Sequence, residues 1–306
     1  MFNNLKLALQ SFKRNWQDYL AISFVFSVIL FVGVLLGQLV VGPLIAFIIV
    51  FIPAIISLKF CAFHSYNKSQ VEYRSLKIGF LTFFKSLKIY FIVIFKPVLI
   101  GFLVGCVAYS CFLSPAMDIA SETIPNLAES LANYDTFAYT YEEMMQIDEV
   151  KNLMTIGLIV SVAVGYLVCF ALKLKRDFIP FVAFEMPINS KRAIVMNGRI
   201  LKGNYFKFFV SALIVVLMFV LPLAAAYLAN VMLASNDTLS PTTISLISIL
   251  VFCVLAGPII MLKQLHYIHS YKEYSKPYKE DFDNELKNVI KEIEELQKII
   301  NKNDEK

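Results

Sequence analysis

Lys96, followed at once by Pro97, is almost the only ionisable side chain that falls inside an apolar run of this sequence. A charge near the centre of a bilayer costs a few kcal/mol, so a lysine placed there points to function. The proline frees a backbone carbonyl and can kink the helix. A lysine beside such a break could hold a lipid headgroup or an anionic substrate. The other open reading is that its stem carries the ammonium about one turn to the nearer interface.

Further candidates are sparse. His266 and His269 are three apart and can share a helix face, and His64 ends another apolar run. Such a trio could make a metal site, but spacing fixes no acidic or cysteine partner, so neither a metal nor a cofactor is expected. The five cysteines, Cys61, Cys106, Cys111, Cys169 and Cys253, lie in or beside apolar runs without disulfide or ligand spacing and read as small packing residues. No phosphate-binding glycine loop, histidine pair flanking a glutamate or glycine-flanked serine occurs, and no enzyme activity is expected. Nor does any Asp or Glu lie near the centre of an apolar run, which speaks against transport coupled through a buried carboxylate.

The elements that carry these residues follow from composition. Of 306 residues, 58% are hydrophobic and only 17% charged, a balance that calls for lipid around the chain. Apolar runs extend over Tyr19 to Phe60, Tyr90 to Leu113, Leu153 to Leu172, Phe208 to Ala229 and Thr242 to Leu262. The first is about twice a single crossing at 1.5 Å per residue, with Gly37, Gln38, Gly42 and Pro43 near its middle, and predicts a helical hairpin. The expectation is an all-α polytopic bundle of about six spans over residues 1–262, with no cleavable signal peptide.

Charge gives the orientation. Lys6, Lys13 and Arg14 precede the first span; Lys59, Lys68, Arg74, Lys77, Lys85 and Lys88 separate the second from the third; Lys173, Lys175, Arg176, Lys191, Arg192, Arg199, Lys202 and Lys207 separate the fourth from the fifth. Short basic segments stay in the cytoplasm, so both termini are expected there, in a cell membrane. The remaining segments contain Lys151 as their one basic residue, and the outer loop 114–152 is acidic and expected to be solvated. The formal charge of +5 is thus an average of a basic inner face, suited to anionic lipid, and an acidic outer one, and implies no nucleic acid.

Each basic segment before an odd-numbered span carries an amphipathic pattern. The first has Phe2, Leu5, Leu9, Phe12 and Trp16; the second Leu76, Phe80, Phe83, Phe84 and Leu87; the third, more weakly, Ala193, Ile194, Asn197, Ile200 and Leu201. Three repeats of interfacial helix plus hairpin are one reading; helices that merely lie below a bilayer are the other. Asn189 or Ser190 can cap the third helix and Gly203 can end it. Residues 263–306 form a charged tail in which Leu286, Val289, Ile293, Leu296 and Ile300 make a short coiled-coil-like seam, for self-association or a partner protein.

The stretch Ile179-Pro180-Phe181, Phe184-Glu185-Met186-Pro187, Ala193-Ile194 and Leu201-Lys202-Gly203-Asn204-Tyr205 resembles the bacterial group that contains the membrane domain of glycerophosphoryl diester phosphodiesterases and related multi-span proteins. Gly79-Phe80 and Phe84-Lys85 are similar to the group's earlier basic segment. No phosphodiesterase catalytic domain lies within this sequence, and its outer loop is long for the group. The resemblance implies a fold. With the charge pattern it leads to the expectation of a non-enzymatic protein that engages membrane lipids or organises a membrane assembly, with Glu185 pairing Arg192 or Lys202. The alternative is a transporter or channel for a small solute, its path near Lys96 and Pro97.

Overall fold

In a computed structural model the chain is described at residues 3–39, 42–66, 73–132, 134–185, 190–235, 240–281 and parts of 283–295. Among these there is no strand. The helices are α1 (Asn3–Arg14), α2 (Trp16–Leu39), α3 (Pro43–Ala46), α4 (Ile52–Ser65), α5 (Ile78–Leu81), α6 (Phe83–Thr123), α7 (Leu127–Ala132), α8 (Tyr134–Gln146), α9 (Asp148–Leu174), α10 (Ile179–Glu185), α11 (Ser190–Leu201), α12 (Tyr205–Leu217), α13 (Val220–Ala234) and α14 (Pro241–Ser275). A π-helical turn, Phe47–Phe51, joins α3 to α4, and 3-10 helices cover Tyr73–Lys77 and Lys276–Tyr278.

Among the described residues, 6 helical segments are long and apolar enough to cross a membrane: Trp16–Gly37, Phe47–Ser65, Phe83–Thr123, Asp148–Glu185, Tyr205–Ala234 and Pro241–Asp281. The chain is a multi-pass membrane protein of all-α type. The 24 residues of α2 rise about 36 Å, which exceeds the hydrocarbon thickness. Between α2 and α3, Gly42 has φ +80°, a left-handed turn that a β-carbon disfavours, and α3 packs back on α2. The long first apolar run therefore folds as a hairpin. At the other end of the chain, Ser240 Oγ accepts the Thr243 N–H at 3.2 Å and Pro241 takes the first helical position of α14.

The chain forms two compact units, Met1–Ile92 with Lys175–Lys306, and Val93–Leu174. In the first, α14 is the axis, touching α1, α2, α4, α11, α12 and α13. Where α2 meets α14, the Ser27 hydroxyl is shared between Cys253 O at 2.7 Å and Ser23 O at 2.8 Å, a polar tie of the kind that holds helices where lipid tails are as apolar as side chains. The densest packing lies beyond the apolar part of α14. Phe178, Phe181, Phe208, Tyr267 and Tyr271 are buried there, with ring centroids 4.7 Å apart for Phe178 and Phe208 and 5.6 Å for Phe181 and Tyr271. Water, not lipid, drives burial of apolar rings, so a compact aromatic core belongs at that end of the spans.

The helix of the last apolar run continues past Leu262: α14 runs on to Ser275, and residues 264–271 are buried. The periodicity hid this because Gln264, His266, His269 and Ser270 are polar, and His266, His269 and Ser270 are held by hydrogen bonds to Ser211, Ser11 and Asn4 rather than by apolar matching.

In the second unit α6 and α9 are the long helices, and α7 and α8 lie between them in sequence. Among the described residues, the segment 114–152 is helical through most of its length. Ala116, Ala120, Leu127, Met144, Val150 and Met154 form a small apolar core, with Leu113, Ile124 and Ile147 packed on it. Its acidic side chains, among them Asp118, Glu122, Glu129, Glu142, Asp148 and Glu149, are exposed as expected. Solvation of the acids is compatible with helices because apolar residues recur at spacings of three and four on the opposite face.

Candidate functional site

The three basic interfacial segments do not dock alike. On α1 the buried residues are Asn4 and Ala8, while Leu9 is 49% exposed and Trp16, just beyond, 52%. Its small and polar face meets α14: Asn4 Nδ2 donates to Ser270 Oγ at 3.3 Å, and Ser11 Oγ lies 2.9 Å from His269 Nε2. Of the apolar stripe read from the sequence, Leu9 and Trp16 face away from the protein, Leu5 is half-buried, Phe12 stacks on Tyr19 at 5.8 Å, and Phe2 lies outside the described residues.

The second segment repeats this. Ser75, Gly79 and Ser86 are buried, and the Gly79 N–H donates to Ser57 Oγ of α4 at 2.8 Å. A β-carbon on Gly79 would strike the Pro53 carbonyl, so only glycine lets this turn lie so close to α4. Outward stand Leu81, 71% exposed, and Phe84, 82%, beside exposed Lys77, Lys85 and Lys88. The third segment does the reverse. α11 buries Ala193, Met196, Asn197, Ile200 and Leu201, and it ends at Gly203 with φ +80°. Asn197 Nδ2 donates to the Lys175 carbonyl.

Beneath α11 lies an ion pair that the sequence reading missed. Lys59 Nζ is 3.4 Å from Asp177 Oδ1, with side chains 8% and 0% exposed, and the ammonium also sits 5.7 Å from the Phe181 ring centroid. Lys59 counted only toward orientation in the sequence. The signal was Asp177 itself, a single acid directly after Lys173, Lys175 and Arg176. Arg176 in turn donates to the Ile92 carbonyl at 2.7 Å.

The expected site residues are not brought to one place. Glu185, at the end of α10, accepts from Tyr271 Oη and pairs with Lys272 Nζ on α14, partners the sequence reading did not name. Lys272 also lies 4.6 Å from the Phe63 ring centroid. Arg192 is half-buried on α11 and Lys202 is exposed. Lys96 and Pro97 belong to the second unit: Lys96 is exposed, Pro97 is buried, and α6 continues through Pro97 and Pro115. Of the tail seam, Leu286 is half-buried, whereas Val289, Ile293, Leu296 and Ile300 lie outside the described residues, as does Asn189.

The histidines have separate partners. His266 Nε2 is 3.0 Å from Ser211 Oγ, and the Ser211 hydroxyl faces the Lys207 and Phe208 carbonyls, each at 3.0 Å, so Nε2 carries the donated proton. His64 stacks on Phe60 at 3.9 Å. His269 touches Ser11 and, through Nδ1 at 3.2 Å, Tyr66 Oη. Burial pushes the Tyr66 phenol pKa up, with the Arg14 charge acting against it. Among the described residues no group of three or more His, Cys, Asp or Glu is placed to hold a metal ion.

In the second unit α6 and α9 approach through small residues. A β-carbon on Gly101 would stand 2.6 Å from Gly165 O, and one on Gly165 would stand 2.8 Å from Gly101 O. Beside this contact runs an apolar groove of about 580 Å³, bordered by Phe102, Tyr109, Ser161 and Tyr166. Comparison with protein-family models, with curated proteins and with solved structures returns no match.

Proposed function

We propose that this chain is a non-catalytic protein of a bacterial cytoplasmic membrane, with both termini in the cytoplasm, that engages lipids and organises the membrane surface through its basic interfacial helices. The observation that carries this reading is the outward stripe of α1, where Leu9 and Trp16 are exposed beside Lys6, Lys13 and Arg14. An apolar face turned away from the protein and rimmed by cations matches the boundary between headgroups and acyl chains. Each cation near an anionic leaflet contributes about 1 kcal/mol. Leu81 and Phe84 with Lys77, Lys85 and Lys88 support the same reading. Kinship with the group containing the glycerophosphoryl diester phosphodiesterase membrane domain is part of this proposal, as is pairing of the charged tail with a second copy or a partner protein.

Trp16 is the single tryptophan of the chain, which makes it a depth probe. The protein would be reconstituted in phosphatidylglycerol vesicles whose acyl chains are brominated close to the glycerol. Trp16, and Leu9→Trp in a Trp16→Phe background, are both expected to be quenched strongly by bromine and weakly by aqueous acrylamide. If Leu9→Trp instead responds to acrylamide and ignores bromine, the stripe faces water and the reading fails.

A further inference from the structure

Where α1, the residue after α4 and the far half of α14 meet, they enclose a polar cavity of about 340 Å³ lined by Leu7, Gln10, Ser11, Arg14, Tyr66 and His269. We propose that this cavity binds a phosphate-bearing anion, a phosphodiester or phosphomonoester group, with the Arg14 guanidinium as its main contact. The inference rests on the lipid-engaging reading and assigns it a site.

Three observations carry it. The first is depth. Arg14 ends α1 just before the span that starts at Trp16, Tyr66 directly follows the span ending at Ser65, and His269 of α14 bonds to side chains of both segments. A site at the ends of two apolar spans is at the level where headgroup phosphates lie. The volume, though modest, falls at the lower end of the roughly 300–1,000 Å³ of small-molecule sites.

The second observation is charge. Among the described residues Arg14 is the only formally charged one lining the cavity, and no carboxylate among them forms an ion pair with it. Its charge acts on both Tyr66 and His269.

The third is the balance of donors. Both His269 ring nitrogens are engaged, Nε2 with Ser11 Oγ at 2.9 Å and Nδ1 with Tyr66 Oη at 3.2 Å. A neutral imidazole has one N–H. If Nε2–H donates to Ser11, then Tyr66 O–H donates to Nδ1 and the Ser11 O–H is left to give; in the other tautomer the Tyr66 O–H is left. Either way the cavity presents a hydroxyl donor, the Gln10 amide N–H and the Arg14 fork, with no anionic acceptor. Such a set complements phosphate oxygens and repels nothing on them.

Native mass spectrometry of the full chain in mild detergent tests this. The probes are phosphatidylglycerol, diacylglycerol with the same acyl chains but no phosphate, and inorganic phosphate. The wild type is expected to retain phosphatidylglycerol over diacylglycerol. Arg14→Gln should retain about tenfold less, Ser11→Ala with Tyr66→Phe should also retain less, Arg14→Lys should recover part, and exchange of the exposed Lys151 in Lys151→Gln should match wild type. Arg14 is exposed, so the changes at Arg14 are expected at an unaltered melting temperature. Retention of inorganic phosphate alone, lost in Arg14→Gln, would support the site, identify its ligand as a soluble phosphoanion and overturn the lipid reading. Equal retention by wild type and Arg14→Gln would overturn the site while leaving the lipid reading in place. Absence of any adduct on the wild type would overturn both.

Discussion

α1 and α11 are both basic amphipathic helices of 12 residues lying just ahead of a span, and they dock by opposite faces. α1 lays Asn4, Ala8 and Ser11 on α14 and leaves Leu9 open; α11 puts Ala193, Met196, Ile200 and Leu201 into the protein and leaves Arg199 and Lys202 outside. The neighbour decides. The stretch of α14 under α1 offers Ser270 and His269, which bond polar partners. α11 instead adjoins α10, whose Ile179, Phe181 and Val182 are buried in an aromatic core. Amphipathicity states that a helix has two faces; it does not state which one the rest of the chain will take.

The comparison can be broken most severely from beneath α11. Asp177→Ala leaves Lys59 buried without its counter-charge, and losses of this kind cost about 3–5 kcal/mol. Hydrogen exchange should then rise across α10 and α11 and change little in α1; a uniform rise would mean that the pair supports the whole unit instead. Lys59→Met with Asp177→Leu should recover much of the loss, since an apolar pair of similar size removes the desolvation cost.

The next effect contrasts the two stripes directly. Ile200→Ala removes a fully buried side chain of α11 and should lower stability by about 2–4 kcal/mol. Leu9→Ala on α1 should shift unfolding in detergent by less than about 0.5 kcal/mol, as exposed positions do. Equal losses at the two positions would place the α1 stripe inside the protein and erase the contrast.

Glu185→Ala gives a smaller change than either Asp177→Ala or Ile200→Ala. It removes the Tyr271 and Lys272 contacts from a partly exposed carboxylate, worth about 1 kcal/mol after solvent screening. Limited proteolysis just after α10 should speed up while cleavage near α1 stays constant; unchanged cleavage after α10 would show that α10 is held by its rings alone.

Much of the fold was legible because lipid imposes simple rules. Runs long enough to cross, the hairpin at Gly42, the left-handed end of α11 at Gly203 and the exposed acids of the outer segment all follow from length, glycine geometry and charge. The site was less legible. Lys96 stood out by its position along the chain, yet side-chain partners such as Asp177 for Lys59, Tyr271 for Glu185 and Tyr66 for His269 are separated by 86 to 203 residues, and no local period links them. The outer segment hid its apolar core for a related reason: Ala116, Ala120 and Met144 look unremarkable until α6 and α8 converge.

The sequence by itself determined that this chain is helical and that it crosses a membrane, because hydrocarbon excludes charge and unpaired backbone at every position independently. Only the tertiary structure decided which face of each interfacial helix is free, where the buried ion pair lies and that Arg14, Ser11, Tyr66 and His269 share one cavity. Those outcomes depend on neighbours distant in the chain, whose hydrogen bonds and rings compete for the same surface.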